Sequence, residues 1–343
     1  MTYAGAGRAF RPGALRPAKI AGLSTYVPPR VLTNADLEKL VETSDEWILQ
    51  RTGIRERHLV DPGIATSDLA KVAAQGALKE AGLAPDDLGF IVVGTTTPDT
   101  IFPSTACMLQ DKIGARKAWG FDLGAACSGF TYALTTAWQM VAGGAHDHAL
   151  VVGADVMSSI IDYTDRTTCV LFGDGAGAVV VSAAREDEPH LIDFAHEIDG
   201  SGGPALCMPA GGSRMPASHE TVDKRLHYVK QEGQTVFKFA VKKTEEISRR
   251  LLDRNGIKPC ELDLFVSHQA NRRIIEASTE RLGLDAKKVV INLEKYGNTT
   301  AGTIPLALAD ARRDGRLKKG DLVLLASVGA GFTVGAVLLR WSL

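Results

Sequence analysis

The sequence predicts an α/β fold made of two related halves, and three observations carry that prediction. One segment occurs twice: AGLAPDDLGFIVVG at 81–94 aligns without gaps to NGIKPCELDLFVSH at 255–268, with Pro85 on Pro259 at an offset of 174. Strands such as FIVVG, ALVVGA, AVVVS and LVLLAS are apolar almost without a break, as in sheets covered on both faces. These strands alternate with helical stretches, which argues a layered α/β architecture.

In chain order, residues 1–17 read as a tail. They hold Arg8, Arg11 and Arg16 among small residues, with no acid and without the long amphipathic pattern of a transit peptide. ATSDLAKVAAQGALKE at 65–80 and FAVKKTEEISRRLLDR at 239–254 each predict a helix. Each ends near a glycine, Gly82 or Gly256, suited to a left-handed cap. A short β-branched and aromatic strand comes next in both halves. The stretch 118–155 then reads as strand, small-residue turn, helix, glycine break and strand. The stretch 288–329 reads the same way, and superposing the two puts Cys127 opposite Asn298 at an offset of 171. FGDGAGAVVVS at 172–182 and GFTVGAVLLR at 331–340 close the halves with a glycine-rich turn and an apolar strand. The halves are placed at 18–185 and 186–343. The stretch 191–234, rich in Gly, Pro, Ser and His, reads as an irregular insertion or lid.

A chain of 343 residues suits two domains of about 150 residues or one large duplicated unit. Its net charge of −1 gives no global field for nucleic acid, so a charged partner has to be met by a local patch. No apolar run approaches the ~18 residues of a membrane span. The five cysteines (Cys107, Cys127, Cys169, Cys207, Cys260) are odd in number, widely spaced and free of CxxC pairs. Neither a disulfide framework nor a zinc site is indicated, and a reducing, cytoplasmic compartment fits.

Cys127 lies in GFDLGAACSGF at 120–130, where small residues permit a tight turn and the periodicity of SGFTYALTTAWQMVAGG starts a helix. A thiol at a helix N-terminus is expected to have its pKa drawn from ~8.5 toward neutrality. The alternative is an inert buried thiol, which is what most cysteines are. His268 stands in VSHQANRRII at the end of a strand, where side chains face an active-site crevice. Asn298 lies in YGNTTAGTIP, a second small-residue turn, and by itself such an asparagine is a turn former. Equivalent loops of related halves converge at their shared interface, which brings a cysteine from one half toward a histidine and an asparagine from the other. Such a trio supports acyl transfer, and equally a decarboxylation in which neutral donors stabilise an enolate. The residues alone leave both open.

Taken together, AACSGFTYAL, SHQANRRII, YGNTTAGTIP and TSDEWILQRTGI resemble the β-ketoacyl-acyl-carrier-protein synthase III family, in unbroken motif order from about Ile20 to the C-terminus. The resemblance implies a duplicated thiolase-like αβαβα five-layer sandwich and a condensing enzyme that starts type II fatty-acid synthesis. It implies that Cys127 attacks a short acyl-CoA, with backbone N–H groups of Cys127 and Ala330 as oxyanion hole. His268 and Asn298 are then expected to bind the thioester carbonyl of malonyl-carrier protein and stabilise the enolate as CO₂ leaves. No metal or redox cofactor is implied.

By the same resemblance Trp47 and Arg51 sandwich the CoA adenine, and Thr52, Arg166, Gly233, Phe237 and Asn271 line the CoA and pantetheine tunnel. Phe102 closes the acyl pocket across a homodimer interface. Lys238, Arg272 and Arg273 dock the acidic carrier protein, with Lys242 and Arg249 either joining them or forming an ordinary solvated helix face beside Glu245 and Glu246. The sequence departs from the family in reading GAG, with Ala330 central, where three glycines are common; alanine is tolerable there if its φ is negative. The alternatives are a specialised starter synthase of polyketide or alkylquinolone type with the same trio, a thiolase, a hydroxymethylglutaryl-CoA synthase, or a non-catalytic scaffold. The thiolase reading lacks a second cysteine near the C-terminus, and the hydroxymethylglutaryl reading lacks a glutamate between Gly114 and Ala145.

Overall fold

The computed structural model describes residues 15–343; residues 1–14, with Arg8 and Arg11, lie outside the described residues. The elements that build the site are the strands β1 (Ala18–Tyr26), β2 (Phe90–Gly94), β3 (Trp119–Leu123), β4 (His148–Asp155) and β5 (Gly175–Ala183), then β6 (Leu191–Ile198), β7 (Leu264–Ser267), β8 (Leu322–Gly329) and β9 (Thr333–Arg340). Between them run helices α1 (Asp45–Thr52), α2 (Thr66–Ala81), α3 (Thr105–Ile113), α4 (Gly129–Ala142), α5 (Gly233–Arg254), α6 (Arg272–Leu282) and α7 (Thr303–Arg313).

The first sheet has the order β1-β5-β4-β2-β3 and the second β6-β9-β8-β7. In both, the first two pairings are antiparallel and the rest parallel. The inner strands β2, β4, β5, β8 and β9 are mostly apolar because both their faces are buried. Phe90 and Val92 of β2 point into a core shared with α4, α7 and strands of the second sheet. Ile91 and Val93 point the other way, onto α2 and α3. On β8, Val323 and Leu325 face the shared core while Leu322 and Leu324 face α5 and α6. The layers are therefore α2/α3, sheet, α4/α7, sheet, α5/α6: the five-layer sandwich.

One offset relates the halves. β2 and β7, α4 and α7, and β4 and β8 each start 174 residues apart, and Gly82 and Gly256 both cap a helix in the left-handed region. The turns before α4 and α7 obey the same offset, since Ala126 and Thr300 are two of the three non-glycine residues described with positive φ, at 47° and 49°. This corrects the superposition of Cys127 on Asn298. The structural partner of Cys127 is Ala301, and Asn298 matches Gly124. Small residues in both turns made the shifted alignment look acceptable.

Three further expectations change. The second half has no strand over 288–292: the counterpart of β3 is a single bridge between Phe265 and Val289. The stretch 191–234 is not wholly irregular, because Leu191–Ile198 is β6, hydrogen-bonded along β9, and the loop-like part begins only after Ile198. An edge strand buries one side only, so the polar residues on its other side disguise it. Arg16, assigned to the tail, is tied down: its guanidinium bonds the carbonyls of Val141 and His146 and the Asp147 carboxylate at 2.6–2.8 Å.

Candidate active site

Cys127 sits in a single 3₁₀ turn, Ala126–Ser128, just ahead of α4. Side chains of the two halves staple it to the β8–β9 hairpin. Ser128 Oγ donates to the Thr333 carbonyl (3.2 Å), and Thr333 Oγ1 donates to the Ala125 carbonyl (2.8 Å). A Cβ on Gly329 would lie 2.8 Å from both Ala125 O and Cys127 N, so only glycine admits this approach. Ala330 is next in the chain, and its φ is not positive, the condition on which alanine is tolerable there.

His268 leaves the end of β7, its backbone N–H donating to Ala326 O at 2.8 Å. Its Nδ1 lies 2.7 Å from Thr303 Oγ1, while the buried Nε2 has no partner. Asn298 is held as a short parallel bridge to Phe172: its N–H donates to Leu171 O (2.8 Å) and its carbonyl accepts from Gly173 N (3.1 Å). Its Oδ1 accepts from Thr300 N at 2.8 Å, which leaves the amide NH₂ for the cavity that Asn298 shares with Cys127. Cys127, His268 and Asn298 thus line one cavity of about 740 Å³.

The expected drop in the Cys127 pKa is not what this geometry produces. Burial, reinforced by the negative charge of Asp155, pushes the thiol up to about 12, and the local donors only partly oppose it. Asp155 ends β4 fully buried. One of its oxygens accepts from Thr95 Oγ1, Thr96 N and Thr97 N at 2.7–3.1 Å; the other accepts from Thr300 Oγ1. Burial holds the His268 imidazole down at about 3. The resting site is therefore a neutral thiol beside a neutral imidazole, with the asparagine amide as a fixed donor.

From this centre the cavity runs to the surface between α1, α5 and α6. Thr52, Gly233, Phe237 and Asn271 line it, as do Trp47 and Arg51. The Arg51 guanidinium lies 5.9 Å from the Trp47 ring centroid; Arg166, expected along the tunnel, is not among its lining residues and instead sets its guanidinium 5.3 Å from the same centroid. Thr52 spends its hydroxyl on the end of α1, donating to Ile48 O. Asn271 caps α6 and bonds Arg51 O through its amide, joining the two walls. Of the cations, Lys238 and Arg273 line the mouth, with Arg273 5.4 Å over the Phe237 ring. Arg272 does not join them; it packs against Gly53 and pairs with Glu294 at 3.4 Å. Lys242 pairs with Glu246 and Arg249 with Glu245 along their own helix, the solvated-face alternative. Phe102 lies outside the cavity, 84% exposed beside Ile101.

Two family models match the chain: 3-oxoacyl-(acyl-carrier-protein) synthase III over 121–200, and its C-terminal part over 252–341. The β-ketoacyl-(acyl-carrier-protein) synthase III of Solibacter usitatus is 61% identical over 327 residues, covering 95% of this chain and 99% of that protein. The chain belongs to the β-ketoacyl-acyl-carrier-protein synthase III family. Within that family, the crystal structure of the Aquifex aeolicus synthase III superposes with a TM-score of 0.87 at 44% identity, over 94% of this chain and 100% of that one. A priming β-ketosynthase from the R1128 polyketide pathway is also similar, with a TM-score of 0.89 at 32% identity over 98% and 99% of the two chains.

Sequence reasoning missed the residues that aim the trio in this synthase III chain: Asp155, Thr300, Thr303 and Arg57. Asp155 left a signal, a charge ending the otherwise apolar run ALVVGAD. Arg57 left none. It is fully buried and gives its guanidinium to Asn34 Oδ1 (2.8 Å) and Val170 O (2.6 Å), bracing the strap 170–173 that carries Asn298. Among the described residues no cluster of three or more His, Cys, Asp or Glu is placed to hold a metal ion, and no helix is long and apolar enough to cross a membrane.

Proposed function

We propose that this protein condenses an acyl-CoA starter with malonyl-acyl-carrier protein to give 3-oxoacyl-carrier protein, CO₂ and CoA, the first condensation of type II fatty-acid synthesis. The observation that carries the reading is the meeting of Cys127, His268 and Asn298 on one cavity, with the asparagine oxygen taken by Thr300 N so that its amide donors are left for that cavity. Cys127 Sγ attacks the thioester carbonyl, its proton passes to His268 Nε2, and the C–S bond to CoA breaks. The backbone N–H groups of Cys127 and Ala330 are assigned to the oxyanion. Malonyl-carrier protein then enters the vacated tunnel. As its C–CO₂ bond breaks, the electron pair moves into an enolate whose oxygen is held by Asn298 Nδ2–H and His268 Nε2–H. The enolate carbon attacks the Cys127 thioester, and the released thiolate recovers its proton from His268. The leaving CoA thiolate takes a solvent proton.

Trp47, Arg51 and Arg166 are assigned to the adenine end of CoA, since an aromatic face and planar guanidiniums suit a purine. Thr52, Gly233, Phe237 and Asn271 are assigned to the pantetheine arm. Lys238 and Arg273 face the acidic carrier protein, whose docking such a patch steers. Phe102 is assigned to the acyl pocket of a second copy in a homodimer. The reaction draws on no metal or redox cofactor, and its setting is the cytoplasm. Mixing the protein with acetyl-CoA and analysing peptides by mass spectrometry tests it. The acyl mass is expected on Cys127 alone, is discharged by malonyl-carrier protein with release of CO₂, and blocks alkylation of Cys127 by iodoacetamide. Absence of acyl transfer to Cys127 refutes the reading.

A further inference from the structure

Two hydrogen-bonded arms reach the site from one residue, Thr300: one to Asn298, the other through Thr303 to His268. Thr300 N donates to Asn298 Oδ1 at 2.8 Å, which leaves the Asn298 amide NH₂ for the cavity it shares with Cys127. Nε2 of His268, buried and without a hydrogen-bond partner, belongs to a residue lining the same cavity as Cys127. On the far side of the ring, Nδ1 meets Thr303 Oγ1 at 2.7 Å, and that hydroxyl lies 3.0 Å from Thr300 O. A hydroxyl has one proton to give. Spent on the Thr300 carbonyl, it leaves Thr303 Oγ1 as an acceptor for Nδ1–H.

We propose that Thr303 is a positioning residue that fixes the tautomer of His268, with the proton on Nδ1 and the Nε2 lone pair facing Cys127. The second nitrogen of a histidine is set by the bond its first nitrogen makes. During acylation the Cys127 proton moves to Nε2, and the resulting imidazolium carries two N–H groups. The inner one, Nδ1–H, is enclosed among buried groups and keeps Thr303 Oγ1 as its acceptor, so the charged intermediate is not left with an unpaired donor. The outer one then serves the incoming thioester oxygen. The turn at Thr300 anchors both arms of the device, and Asp155 holds that turn from below through the Thr300 hydroxyl.

This proposal rests on the condensing-enzyme reading, and the two fail separately. A wild-type protein that releases no CoA from acyl-CoA refutes the reading. With CoA release intact, nitrogen NMR of protein labelled at histidine reads the tautomer directly in the folded, unmodified chain. His268 is expected to carry its proton on Nδ1 at neutral pH, and a proton on Nε2 overturns the assignment. Thr303→Val keeps the side-chain shape and removes the acceptor. Its pre-steady-state burst of CoA is expected to slow by about ten- to a hundredfold, the loss of one hydrogen bond to a charged group. Thr303→Ser is expected to restore the burst to within about threefold of wild type, because serine returns the hydroxyl that accepts from Nδ1–H. An unchanged burst in Thr303→Val, or a serine variant as slow as the valine one, overturns the proposal.

Discussion

At the scale of single residues, the orientation of Asn298 matters more than its presence. An asparagine side chain can offer a tunnel either an acceptor or two donors, and here the Thr300 N–H takes the oxygen, so the donors face inward. Such a group suits an enolate oxygen and is of little use to a departing thiolate already protonated by solvent. Asn298→Ala is therefore expected to leave the acylation burst within a few-fold of wild type. Condensation with malonyl-carrier protein should fall about 10²–10³-fold, the loss of one oxyanion-type donor worth about 3 kcal/mol. Rapid-quench measurement of both half-reactions on the same preparation decides it: a parallel fall in both removes the division of labour. That Cys127, His268 and Asn298 would share one cavity was legible from the duplicated halves and the motifs they stand in, although the superposition that placed Asn298 opposite Cys127 was shifted by three residues. Their tuning was not. A helix start in the sequence suggested a depressed thiol pKa, whereas burial beside Asp155 raises it, and burial depends on side chains distant in the chain.

At the scale of elements, the nucleophile turn is a joint between halves. The 3₁₀ turn before α4 belongs to the first half, but the Thr333 hydroxyl and the Gly329 backbone that clasp it belong to the second. Gly329 is not in the left-handed region, so its requirement is steric: an added Cβ would also lie 2.7 Å from Thr333 Oγ1. Gly329→Ala is expected to force the hairpin off the turn at a stability cost of about 1–3 kcal/mol, the usual range for overpacking. The CoA burst should fall at least about tenfold, because displacement of reacting groups by an ångström costs rate steeply. Denaturant unfolding together with the burst assay checks both parts, and a full burst at unchanged stability contradicts the steric argument. The repeated strands and helices were readable from periodicity, since apolar runs and glycine caps are local. The offset at the turns was not, because Ala126 and Thr300 share a backbone conformation that small residues do not announce, and β6 went unrecognised because its outer face is polar.

At the scale of the whole molecule, the five-layer plan buries polar groups near its centre, and this sets the response to acid. His268 is one such group; His196 on the edge strand β6 is half-buried, packed 4.2 Å from the Tyr132 ring with its Nε2 on Thr135 Oγ1. Burial holds their imidazoles down at about 3 and about 4. A histidine whose folded pKa is depressed contributes fully above its unfolded value near 6.5, and that stability is lost as pH falls toward the folded value. By pH 5 each unfolded imidazole has taken up a proton that its folded counterpart refuses, a loss of about 2 kcal/mol per histidine relative to pH 7. The carboxylates held below their usual range, such as Asp36 at about 2, release their contribution only at lower pH, so the histidines dominate this window. His196→Phe keeps the aromatic packing and removes one titration without touching the catalytic cavity. Urea unfolding at pH 7 and pH 5 is expected to show the wild type losing about 4 kcal/mol from the two histidines, and the variant losing about half of that. Equal losses in the two proteins would mean that His196 is free to protonate in the folded state, contrary to its packing against Tyr132 and Thr135.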